Sequence, residues 1–177
     1  LYRIRDHYFR FWFRFMFPNM SFLEEHGPKA LVEQRIAPTV ADHVAGVFEE
    51  VVTAVLRAMN KAGRLPFQFE RFGRWWSSEA EIDVLGLSPS ESALLACECK
   101  WASRPVGTDV LRSLAAKVEA LGPPYASWRR VFALASRAGF TDALRREAEA
   151  AGNVVLVDLE TIGTLAGEQT RQPREGP

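Results

Sequence analysis

Leu94-Leu95-Ala96-Cys97-Glu98-Cys99-Lys100-Trp101 is apolar for four residues and then charged at alternate positions. As a strand, it places Glu98 and Lys100 on one face and Cys97, Cys99 and Trp101 on the other. The run before Glu98 is apolar on both faces, which is the pattern of a central strand covered on both sides. A carboxylate and an ammonium at the end of such a strand are expensive to bury unless they are paired or used.

The segment just upstream repeats the anomaly. Ile82, Val84 and Leu85 are apolar, yet Asp83 sits among them, and Asp is depleted in strands. Ser88-Pro89-Ser90-Glu91 reads as a turn, so Glu81 to Leu87 and Ala93 to Trp101 form a hairpin. Across it, Asp83 and Glu98 come near one another. Two carboxylates held together repel unless a cation lies between them, and with oxygen donors alone the natural cation is Mg²⁺ or Mn²⁺. Taken singly, each of these charges reads as part of a surface ladder on an exposed edge; together, in this order, they read as a site.

Working outward, Thr39 is expected to cap a long helix with Asp42 at the capping-box position and Gly63 at its end. Its stripe is Val44, Val47, Phe48, Val51, Val52, Val55, Leu56 and Met59. Glu49 falls on the border of that stripe and leans over the sheet, whereas Glu50 points to solvent. A first strand covers Phe67 to Trp75. Downstream, Thr108 caps a helix to Leu121, Arg130 to Ser136 is a strand, Thr141 caps a helix ending at Gly152, and Val154 to Asp158 is a fifth strand. The order predicts an α/β sandwich with a mixed central sheet.

The chain has 177 residues, with 22 basic and 22 acidic side chains, so net charge names no partner class. Composition is that of a globular protein, at 47% hydrophobic and 25% charged. Cys97 and Cys99 share a strand face, cannot close an ordinary disulfide with each other, and fall short of a structural zinc set; they read as buried thiols in a reducing cytoplasm. His7, His26 and His43 show no ligand spacing.

The first 22 residues hold six of the twelve phenylalanines, with Tyr2, Tyr8, Trp12 and the interleaved Arg3, Arg5, Arg10 and Arg14. The four arginines and the shortness of the run argue against a membrane span, which needs about 20 apolar residues. As a helix this segment is apolar nearly all round, so burial between two bodies is expected; stacking on single-stranded nucleic acid is the other use of such a mix. Gly27-Pro28 opens a short helix to about Ile36. From Gly167 the composition reads as disordered tail.

The series of a helix with a carboxylate, a strand Asp, a turn, a strand E-x-K, a helix and another strand resembles the PD-(D/E)xK nuclease superfamily. Its restriction-endonuclease-like fold is an α/β/α sandwich. Glu98-Cys99-Lys100 matches the E-x-K half, Asp83 the preceding acid, and Glu49 the helix acid. Ile82 replaces the Pro of the superfamily's name. Asp6, Phe11-Trp12-Phe13, Phe48-Glu49, Gly73-Arg74-Trp75-Trp76, Glu81-Ile82-Asp83 and Glu98-Cys99-Lys100-Trp101 together look like the C-terminal domain of archaeal-type P-loop ATPases. This chain has no G-x-x-x-x-G-K-[ST] run.

The resemblance implies a helical linker over residues 1–37 joining an ATPase and winged-helix part, a nuclease-like domain over 38–166, and a tail over 167–177. It also implies Mg²⁺- or Mn²⁺-dependent hydrolysis of DNA, with Asp83, Glu98, Glu49 and the Cys99 carbonyl around the metal and Lys100 stabilising phosphate charge. Lys117, on the next helix, and Arg104, just after the E-x-K strand, are candidate phosphate contacts, although each taken alone reads as solvated surface charge, while Trp75, Trp76 and Trp101 are expected to pack. The two thiols point to a cytoplasmic protein, and the resemblance leaves a homo-oligomer open. The alternative is a non-catalytic DNA-docking or regulatory module of the ATPase. Replacing Asp83 by Ala is expected to leave folding intact or improved, by relieving carboxylate repulsion.

Overall fold

The computed structural model describes Ile4 and residues 6–171; Tyr2, Arg3, Arg5 and the tail residues 172–177 lie outside the described residues. The chain divides into two compact units, Leu1–Phe48 and Glu49–Pro177.

In the first unit, helix α1 (His7–Phe11) starts at Asp6, whose carboxylate accepts from the amides of Tyr8 at 2.8 Å and Phe9 at 3.1 Å. Asp6 is thus a helix cap. The chain continues as a π-turn over Trp12–Met16 and a 3₁₀ turn over Phe17–Asn19. Helix α2 (Met20–Leu31) is interrupted at Gly27, whose φ of 78° only glycine adopts cheaply. Phe15, Leu31 and Ile36 form a small core. The aromatic segment is therefore helical, as its pattern predicts, but not buried all round. Phe15 is enclosed, while Tyr8, Phe9, Phe13 and Phe17 are exposed, because one helix packs only one stripe against so small a core.

Helix α3 (Val40–Lys61) enters the second unit at Glu49. Five strands follow: β1 (Arg71–Trp76), β2 (Glu81–Ser88), β3 (Ala93–Lys100), β4 (Arg129–Ser136) and β5 (Val154–Asp158). They lie in one sheet in the order β1-β2-β3-β4-β5. β1, β2 and β3 are antiparallel neighbours, whereas β3, β4 and β5 run parallel. The mixed sheet is the one the sequence predicts. β1 starts at Arg71 rather than at Phe67, because Phe69 is held instead by Asn60 of α3, which accepts its amide and donates to its carbonyl.

The parallel strands need crossovers, supplied by α4 (Thr108–Glu119) and α5 (Asp142–Ala151). Two successive crossovers stepping the same way put both helices on one face. Leu111, Leu114 and Val118 of α4 and Leu144 of α5 pack there against Leu94, Ala96 and Leu134. On the opposite face, Arg57 of α3 lies 5.4 Å over the Phe72 ring and donates to the Phe72 carbonyl at 2.9 Å. α6 (Leu159–Arg171) lies beside β5 on the α3 side, where Val55, Ile162 and Leu165 line an apolar groove. The result is an α/β/α sandwich. α6 carries helix through residues 167–171, where a disordered tail is expected. Asp158 caps it, accepting from the Thr161 amide and hydroxyl, and Leu165 is buried; tertiary burial overrides a polar composition. Among the described residues no helix is long and apolar enough to cross a membrane.

Candidate functional site

β3 is buried from Ala93 to Cys97 and opens only at its charged end. Glu98 lies on the face that carries Leu94 and Ala96, the face covered by α4. It is only 8% exposed. Lys100, two residues on and so on the same face, donates to Glu98 Oε1 at 2.7 Å. Lys117 stands one turn beyond Leu114 on α4, beside the buried stripe, and donates to Glu98 Oε2 at 2.7 Å. Both oxygens of one buried carboxylate thus carry charge-assisted bonds. Burial by itself raises the pKa of Glu98, but the bonds from Lys100 and Lys117 outweigh it and hold the carboxyl below its ordinary value.

Asp83 reaches the site through a bulge. Gly73 pairs with Leu85, but Trp75 pairs with Ile82, so Asp83 and Val84 together oppose the single residue Arg74. The extra residue lets both Ile82 and Leu85 face the same core and re-aims Asp83. Pairing of β2 with β3 ends at Val84–Cys97. Beyond that point the Cys99 amide has lost its backbone acceptor, and Asp83 Oδ2 accepts from it at 2.7 Å. Burial is the main force raising the Asp83 pKa; the Cys99 amide and the Lys117 and Arg74 charges pull it down, and the Glu98 charge pushes it up. Asp83 and Glu98 therefore share one electrostatic field, as their places on the hairpin predict, and are driven in opposite directions within it.

This bond corrects one expectation. Asp83 is a structural acceptor as well as a charge, so Asp83→Ala strands the amide of Cys99 rather than simply relieving repulsion.

Glu49 lies on the sheet side of α3, half-buried, with Arg74 Nη2 at 3.4 Å. Arg74 also holds Glu81 through Nε at 2.5 Å. Glu49 and Asp83 both add to the field on the Cys99 thiol. The structure thus gathers Glu49, Asp83, Glu98, Cys99 and Lys100 at one end of the sheet. Glu50 is half-buried, not solvated as its helix angle suggests.

For Lys100, burial favours loss of the proton, but the bond to Glu98 and the Glu98 and Asp83 charges prevail and raise its pKa. The thiol of Cys99 is raised by its contact with Cys97, by burial and by the surrounding carboxylates. Trp75 packs on the core as expected, and Trp101 lies under Arg137 at 4.9 Å. Trp76 corrects the packing reading: it is 70% exposed, at the last position of an edge strand. Arg104 is exposed beyond the strand end.

Arg74 carries a role that residue reading alone does not assign. Its only sequence signal is a basic residue in a strand beside the acid-rich Glu81-Ile82-Asp83, and the bulge that places it is invisible to periodicity.

The donor types present fit a hard divalent cation: carboxylate oxygens of Asp83, Glu98 and Glu49 with a backbone carbonyl nearby. Their arrangement fits in part. Each oxygen of Glu98 accepts from an ammonium group, Glu49 faces Arg74, and no group of three or more His, Cys, Asp or Glu side chains is assembled for a metal among the described residues.

A family model described as "Archaea bacterial proteins of unknown function" (DUF234) matches residues 12–114. An uncharacterized protein of Methanocaldococcus jannaschii is 36% identical over 100 residues, which are 56% of this chain; the match spans 22% of that relative's length. Two solved structures align over 59% of this chain. A repair endonuclease from Pyrococcus abyssi has a TM-score of 0.37 at 16% identity over 44% of its chain. EndoMS in a dsDNA complex has a TM-score of 0.36 at 19% identity over 42% of its chain.

Proposed function

The chain belongs to the DUF234 family, and we propose that its α/β/α unit is a metal-dependent nuclease domain hydrolysing phosphodiester bonds in DNA, working within a larger protein that supplies a P-loop ATPase. One observation carries this reading. At the end of a strand otherwise buried on both faces, Glu98 and Lys100 share a face, with Asp83 fixed beside them by the Cys99 amide. A stability role alone gives no reason to concentrate charge there, since a buried ion pair is commonly no better than apolar packing.

Asp83 and Glu98 would hold Mg²⁺ or Mn²⁺, with Glu49 and the Cys99 carbonyl as further oxygen donors. Such an ion lowers the pKa of a bound water and polarises the phosphate. Lys100 keeps its proton on Nζ, because its pKa is raised; it therefore serves as an electrostatic partner of the phosphate rather than as a general base. Arg74 restrains Glu49 and Glu81, and exposed Arg104 adds a backbone contact.

Cleavage of labelled single-stranded, duplex and branched DNA with Mg²⁺ or Mn²⁺ tests the proposal. Cleavage is expected from the parent chain, strongly slowed in Lys100→Met and lost in Asp83→Asn. Inactivity of the parent on every substrate, at high protein concentration and with the full-length protein as well, would sink it. A second reading draws on the pairing of Glu98 with two lysines: a non-catalytic DNA-docking module, for which binding without cleavage is the expected result.

A further inference from the structure

We propose that Trp76 is the stacking platform for an unpaired nucleobase at the candidate site, which makes the substrate DNA with exposed bases rather than intact duplex. The inference rests on the nuclease reading above and deepens it by naming the substrate class. Trp76 is 70% exposed, whereas Trp75 packs on the core and Trp101 lies under Arg137. Because Trp75 faces the α4 side, Trp76 faces the opposite side, together with Arg74. Its backbone is held firmly. It ends β1 in register with Glu81, and the turn that follows is closed by the Ser77 amide on the Ala80 carbonyl at 2.8 Å. Ser77 Oγ also accepts from the amides of Glu79 and Ala80, each at 3.1 Å. A broad ring is thus presented to solvent from a fixed turn, which lowers the ordering cost of binding to it.

Its place relative to the site follows from the register. Val84 pairs with Cys97, so continuing the register to the end of β3 sets Glu81 level with Lys100. Trp76 pairs with Glu81 and therefore lies two strand spacings from Lys100, roughly 10 Å across the end of the sheet. The charges around it sort the parts of a nucleotide. Lys100 and exposed Arg104 attract phosphate. Arg74 is one cation shared by Glu49 and Glu81, so with Glu79 the surroundings of Trp76 stay acidic and repel phosphate. A strand with its phosphate at Lys100 therefore brings a base, not its backbone, to the indole. Stacking needs a free base face, which a paired base inside duplex does not offer. Every base has such a face, so the preference is for strandedness and not for sequence.

Binding is read by fluorescence anisotropy of labelled single-stranded and blunt duplex DNA of one sequence, in EDTA and at one salt concentration. The parent chain is compared with Trp76→Ala and Trp76→Tyr, each checked for folding by thermal melting. Trp76→Ala is expected to weaken single-stranded binding by about 5- to 100-fold, the span for one stacked base, and to leave duplex binding nearly unchanged. Trp76→Tyr, which keeps an aromatic face, stays near the parent. An equal loss on both DNAs, or no loss on either, overturns the inference and leaves the nuclease reading standing; so does a parent chain that binds no single strand yet cleaves duplex. Single-strand binding that depends on Trp76, with no cleavage of any DNA in Mn²⁺ by the parent or the full-length protein, sinks the nuclease reading and keeps the stacking role.

Discussion

Along β3, Ala93 to Cys97 are wholly enclosed between α4 on one face and the α3 side on the other, whereas Glu98 to Lys100 meet a carboxylate, an ammonium from α4 and the open end of the hairpin. One strand thus holds two regions under different rules. In the first, stability comes from area removed from water and from close packing. In the second, burial works against every ionised group, and each persists through a named partner. Glu98 has two lysines, Asp83 has an amide, and Lys100 has Glu98. The contrast separates residues retained for folding from residues whose arrangement calls for another explanation.

The largest effect tests the apolar region. Leu94→Ala should lower stability by about 2–5 kcal/mol through lost transfer energy and the cavity left behind, read from urea unfolding. A loss well below that range would mean the region is not the packed centre described. At the charged end, Lys100→Met should leave the urea midpoint nearly unmoved, since the side chain is 42% exposed, yet slow DNA cleavage by about 10²- to 10³-fold, the scale for removing one preorganised electrostatic group. Equal losses in both assays would erase the distinction between the two regions.

Asp83 stands between these extremes. Asp83→Ala should cost about 1–3 kcal/mol by stranding the Cys99 amide. Asp83→Asn keeps an acceptor oxygen, removes a buried charge, and should be at least as stable as the parent near pH 7. If both variants melt alike, the bond to Cys99 is not what holds Asp83.

The smallest effect lies in the pH dependence. The folded pKa of Asp83 is raised above its ordinary 3.8, so its contribution is fully present below that value and is lost as pH rises through the folded pKa. That of Glu98 is held below its ordinary 4.5, so its contribution is present above that value and is lost as pH falls through the folded pKa. Unfolding curves between acidic and neutral pH should therefore change in opposite senses: Asp83→Asn removes the loss on raising pH, and Glu98→Gln removes the loss on lowering it. The same sense of change in both would contradict the opposed environments.

Much of the fold was legible in the chain. Four apolar residues before Glu98 mark a strand covered on both faces, and the 3.6-residue stripe marks α3. Gly152, at φ 68°, ends α5 where its type predicts, and Thr141 caps that helix by accepting from the Leu144 amide at 3.3 Å. The grouping of Asp83, Glu98 and Lys100 also followed, because a hairpin brings its two strands together whatever surrounds them. The exposed aromatics of α1 did not follow, since they depend on how much apolar surface a neighbouring element can cover, and neither did the helix through residues 167–171, which continues past buried Leu165 with Glu168 paired to Arg64 at 2.8 Å.

The sequence by itself determined the order of elements, the central place of β3 and the face shared by Glu98 and Lys100, because strand and helix periods are local and survive without knowledge of neighbours. Only the tertiary structure decided that a bulge opposite Arg74 turns Asp83 onto the Cys99 amide, that Arg74 meets Glu49, and that Lys117 closes on Glu98 from 19 residues away. Each of these depends on the register between strands or the docking of a helix on a sheet. Those quantities are fixed by the packing of the whole core, and no local pattern records them.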